Sequence, residues 1–167
     1  MPSNAFVIAT LAAGLGGSAI IDLRTRRIPN ALTMSLAATG MLCAATGISG
    51  LSLGAALGGF TLGLVMMLPG HLLGGTGAGD VKLFAAIGTL IGPAGIATAF
   101  LYTAIAGGGL ALIVAARRRR LAHTITGAAR LAARATDAAE IEHPRANNRF
   151  AYAPAIAVGT LLAAIGL

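Results

Sequence analysis

An all-α, polytopic membrane protein, a bundle of about six transmembrane helices with both termini outside, is the fold class that this 167-residue sequence predicts. Three observations lead there. Hydrophobic residues make up 56% of the chain and charged residues 10%, whereas a soluble domain carries about 25% charged residues. With a mean hydropathy of +0.84, the chain has too little polar surface for a water-soluble globule and too much apolar material for a disordered one. Twelve Lys and Arg and five Asp and Glu fall in three clusters, 22–27, 80–82 and 117–149. Between these clusters lie four charge-free stretches, 1–21, 28–79, 83–116 and 150–167, and a membrane helix needs about 20 apolar residues.

The first stretch holds one span. No basic region precedes its apolar run, and Arg24, Arg26 and Arg27 follow it, which favours an N-out anchor over a cleavable signal peptide. The second stretch holds two spans, broken around Gly47-Ile48-Ser49-Gly50. Glycines at Gly54, Gly58 or Gly59, and Gly63 recur at the spacing that lets membrane helices approach closely. The third stretch, 34 residues long, has room for one long span or two short ones. The preference for cytoplasmic Lys and Arg decides: with one span the eight arginines of 117–149 would lie outside, and with two, divided at Gly92-Pro93, they lie inside. The last stretch holds one more span. The result is a single domain, 1–167, with a basic cytoplasmic loop at 117–149. That loop reads either as an amphipathic helix on the anionic inner leaflet, through Leu121, Ile125, Ala128, Leu131 or Ala132, and Ala135, or as a solvated or disordered linker.

A net charge of +7 would suggest a nucleic-acid partner in a soluble protein. Here the charges track topology, so no nucleic acid is expected. The single cysteine, Cys43, excludes an internal disulfide and a multi-cysteine zinc site, and its apolar neighbours make it a small buried residue. His71, beside Pro69-Gly70, reads as a solvated loop residue, and no metal site or cofactor is expected.

Two aspartates lie where charge is expensive. Asp22 ends the first span and Asp80 opens the fourth, an even number of crossings apart, so both reach one face of the membrane. Two carboxylates that can meet there suffice for acid–base hydrolysis, one ionised to take a proton from water and one protonated to polarise a carbonyl. Taken singly, Asp22 also reads as an interface residue balanced by Arg24 or Arg26, and Asp80 as a helix cap. Gly77 and Gly79 leave room for backbone or substrate beside Asp80. Pro29 stops the first span from running on, and Asn30 is a good cap for the second. Lys82 either snorkels to headgroups or helps keep one aspartate ionised.

Gly77-Ala78-Gly79-Asp80-Val81-Lys82-Leu83 resembles the G-x-G-D-x-K-L motif of the type IV prepilin peptidases, which are membrane aspartyl proteases. Asp22-Leu23-Arg24-Thr25-Arg26-Arg27-Ile28-Pro29-Asn30 is similar to that family's first aspartate, basic spacer and I-P-N. Tyr152-Ala153-Pro154 through Gly159 resembles its proline-containing last helix. The resemblance covers nearly the whole chain apart from 117–149. It implies a prepilin leader peptidase in the inner (cytoplasmic) membrane, with Asp22 and Asp80 catalytic and a cytoplasmic active site. Supporting roles fall to Gly77, Gly79, Lys82, Arg27, Pro29, Asn30 and Pro154. The substrate would be a prepilin or pseudopilin precursor, cut after a short basic leader. The first loop is short and lacks paired C-x-x-C motifs, so the chain resembles the short form that serves Flp-type (tight-adherence) pili, and methyltransferase activity has no sequence support. Two alternatives are a small proton-linked transporter or channel, and a presenilin-like intramembrane protease. The second is disfavoured because Ile21 stands where that class has tyrosine.

Overall fold

The computed structural model describes residues 5–25, 27–72, 75–117 and 153–165. Five helices account for almost all of them: α1 (Ala5–Thr25), α2 (Asn30–Ala45), α3 (Leu53–Leu72), α4 (Ala78–Arg117) and α5 (Ala153–Ile165). No strand occurs among the described residues. Three helices, Ala5–Thr25, Leu53–Leu72 and Ala78–Gly109, are long and apolar enough to cross a membrane. Phe6, Ile20, Leu23, Met34, Leu57, Val65, Leu101 and Ile105 face outward, an arrangement suited to lipid and unfavourable in water.

Glycine and proline punctuation sets the helix boundaries. Pro29 is extended (φ −63°, ψ 137°) and precedes the first residue of α2, and a residue before proline, here Ile28, is steered away from helix. At the other end of α2 the chain turns through Gly47 and Gly50, both at positive φ (76° and 67°), as the sequence leads one to expect. The expectation of six full spans is met only in part. Between these breaks α2 keeps 16 residues and α5 has 13, both under the roughly 17 that cross a bilayer without tilt or thinning. A second difference concerns α1, which does not end at Asp22. With no breaker before Pro29, it runs one more turn to Thr25.

The break expected at Gly92-Pro93 is present. Gly92 has φ 71° and ψ −178° inside otherwise continuous helix, a left-handed φ that glycine adopts without penalty. There α4 doubles back into two arms. Phe84 and Phe100, eight residues either side of Gly92, meet edge to face with ring centroids 6.1 Å apart. Gly63 of α3 touches both arms: a Cβ there would lie 2.9 Å from the Phe84 carbonyl oxygen and 3.2 Å from Ile96.

Close glycine contacts join the helices. Gly59 of α3 and Gly88 of α4 pack backbone on backbone, Gly40 of α2 lies against Thr89, and Gly159 of α5 against Thr103. The glycine repeat of the third span thus works through Gly59 and Gly63. Gly54 meets only the Ser52 hydroxyl, at 3.9 Å. The first arm of α4 is the centre of the core: Leu83, Phe84, Ile87 and Leu90 are fully buried. Cys43 is a buried free thiol. Of the basic segment 117–149, only Arg117 lies within the described residues.

Candidate active site

The buried stripe of α1 is Val7, Leu11, Leu15, Ser18 and Asp22. Steps of three and four residues keep these on one face, so the periodicity that packs the helix also carries Asp22 into the bundle. Asp22 and Asp80 are each only 6% exposed. Burying a carboxylate is costly unless hydrogen bonds offset the lost water, and both aspartates obtain them from helix N-termini.

Asp22 Oδ2 accepts the N–H of Ala153 at 3.3 Å. Ala153 is the first residue of α5, and the first N–H groups of a helix have no partner within it and favour a negative group. Pro154 follows at a position where a missing N–H costs nothing. Its part is therefore to start α5 where Ala153 meets Asp22, and it does not line the site.

Asp80 is the third residue of α4, and its Oδ2 accepts the Gly77 N–H at 3.0 Å. In return the Gly77 carbonyl accepts the N–H groups of Asp80 and Val81 at 3.1 and 3.3 Å. Asp80 thus makes one half of a capping box, its carboxylate reaching back to the N–H of the glycine at the cap, while the Gly77 carbonyl starts the helix's backbone bonds. The other carboxylate oxygen, Oδ1, is buried without a hydrogen-bond partner. A Cβ on Gly77 would stand 3.0 Å from Oδ2, and one on Gly79 would stand 3.0 Å from Ile28 Cβ. Both glycines of G-x-G-D are thus accounted for: the first keeps the carboxylate hydrogen bond uncrowded, and the second lets the I-P-N segment lie against the start of α4.

Asp22 and Asp80 line one cleft of about 250 Å³ with Arg27, Ile28, His71, Gly77, Ala78 and Gly79. Arg27 is exposed at its edge. One expectation needs correction. Asn30 does not cap α2: Pro29 holds the cap position, with no side-chain hydrogen bond. Lys82 is engaged by the I-P-N segment. Its Nζ donates to Asn30 Oδ1 at 3.0 Å, linking the two motifs outside the cleft, above an apolar groove formed by Thr33, Met34, Ala37, Phe60 and Leu64. Pro29, Asn30, Lys82 and Pro154 thus do not line the cleft.

Sequence reasoning missed two members of the site. One is the Ala153 N–H, a backbone donor whose only sequence signal is the Ala-Pro start of a helix. The other is His71, which is half-buried in the last turn of α3 and no solvated loop residue. Its Nδ1 lies 3.0 Å from the Thr76 carbonyl oxygen. Among the described residues no group of three or more His, Cys, Asp or Glu could hold a metal ion. The family model described as the type IV leader peptidase family matches residues 7–112 of the chain, a stretch that includes both aspartates and stops short of α5. No curated protein matches the chain, and no solved structure does.

Proposed function

The chain belongs to the type IV leader peptidase family, and from that membership we propose that it is a prepilin leader peptidase in which Asp22 and Asp80 activate one water. The observation that carries this reading is the shared cleft, with two buried carboxylates each oriented by a helix N-terminus. Close carboxylates hold one proton between them. The ionised partner takes a proton from water, whose oxygen attacks the scissile carbonyl carbon. The protonated partner gives its proton to the carbonyl oxygen. Collapse of the tetrahedral diol breaks the C–N bond as the amine nitrogen takes a proton, leaving a free carboxyl on the leader and a free amine on the pilin. Neither a covalent intermediate nor a metal is needed.

The substrate is a precursor with a short basic leader, of the Flp type, cut at the cytoplasmic membrane face. In this reading the chain crosses the inner membrane six times, the two arms of α4 counting separately and both termini lying outside. The segment 117–149 lies on the anionic inner leaflet. A proton-linked transporter is the weaker reading, because both aspartates lie near helix ends and not in mid-span. The test is cleavage in membranes. The chain is co-expressed with a Flp-like prepilin and the product is weighed, for wild type, Asp22→Asn and Asp80→Asn. Each substitution should lower cleavage by about 10²–10⁴-fold, the usual worth of a general acid or base, at unchanged protein level. Full activity in either variant overturns the two-aspartate mechanism.

A further inference from the structure

One peptide group stands between His71 and Asp80. The Thr76–Gly77 unit offers its carbonyl oxygen to His71 Nδ1 (3.0 Å) and its N–H to Asp80 Oδ2 (3.0 Å). A carbonyl oxygen only accepts, so Nδ1 carries the proton and donates. The two bonds are therefore joined in series: imidazole N–H to carbonyl, then amide N–H to carboxylate. Donation to the carbonyl deepens the C–N double-bond character of that peptide and makes its N–H a stronger donor, the cooperative strengthening expected along a hydrogen-bonded chain. The turn is held in place independently, because the Gly70 carbonyl accepts the N–H groups of both Gly75 and Thr76, at 2.8 and 3.1 Å. His71 and Thr76 are thereby kept within reach of each other.

We propose that His71 is a positioning residue for Asp80, acting through the Thr76–Gly77 peptide. It fixes the direction of the Gly77 N–H and, through it, the carboxylate, and it strengthens the hydrogen bond to the ionised form. Aligned on this side alone, the carboxylate keeps Oδ1, its buried oxygen without a partner, for the reaction. The inference rests on the two-aspartate reading for its catalytic consequence but not for its structural one, and the experiment separates the two.

His71→Leu removes the donor and keeps an apolar side chain of similar bulk. His71→Asn keeps a donor, since asparagine Nδ2 and histidine Nδ1 are both attached to the γ-carbon. Two readouts are taken on the full chain: the proton chemical shift of the Gly77 amide, and kcat and KM for cleavage of a Flp-like prepilin. The Gly77 proton should move upfield in His71→Leu and return towards the wild-type position in His71→Asn. In parallel, kcat should fall about two- to tenfold in His71→Leu, the net worth of one neutral hydrogen bond. KM should stay level, and His71→Asn should recover most of the loss. An unmoved Gly77 proton overturns the proposal, and so does an unchanged kcat or a loss confined to KM. If the wild type cleaves no prepilin, the peptidase reading fails while the amide shift still decides whether His71 governs the Gly77 donor.

Discussion

In the proposed mechanism Asp80 is a single residue that serves structure and chemistry at once. One of its oxygens closes the first turn of α4 by taking the Gly77 N–H, and the other is left without a protein partner. Its neighbours are constrained accordingly. A methyl group at position 79 would stand 3.0 Å from Ile28 Cβ, so Gly79→Ala should push the I-P-N segment away and lower cleavage. Adding Ile28→Ala should restore part of the loss, a coupling that a double-mutant cycle of kcat/KM would measure. Lys82 is predicted to behave differently. Its bond to Asn30 is exposed, so Lys82→Met should cost at most about 1 kcal/mol in unfolding free energy and leave kcat near wild type. A loss as large as that of Asp80→Asn would instead place Lys82 in the chemistry.

At the level of helices, the breaks at 47–50 and at Gly92-Pro93 were legible because glycine and proline act locally. Gly92→Ala should destabilise the protein by about 1–3 kcal/mol, the cost of a side chain in a backbone region populated essentially by glycine, with the nearest Leu51 carbon 3.1 Å from the new methyl. A thermal melt in detergent would check it. Gly59→Val should cost more, because the added carbon meets the backbone of Gly88, which cannot swing aside as a side chain can. What was not legible depended on distant partners. Charge alone made Asp22 look like the end of α1, although that helix runs on to Thr25. Asn30 looks like a cap until Lys82, 52 positions on, is seen to claim its oxygen. His71 gave no signal because its partner is a backbone carbonyl, which any residue would supply.

The whole molecule has two distinct ends. Asp22, Ile28, Gly79 and Ala153 gather at one, and Leu51, Gly92 and Ala163 at the other. The proposed topology puts these ends on opposite sides of the membrane. With Cys43 buried and replaced by alanine to remove background, a membrane-impermeant maleimide applied to intact cells should label Thr46→Cys and spare Leu72→Cys. Opened vesicles should label both, and equal labelling in intact cells would contradict six crossings.

The hydrogen bond from Ala153 to Asp22 spans 131 positions of chain, and this separation has a consequence in time. During synthesis Asp22 emerges early and its donor emerges much later, after both arms of α4 and the basic segment. A nascent chain therefore carries Asp22 without this hydrogen bond until α5 has been made.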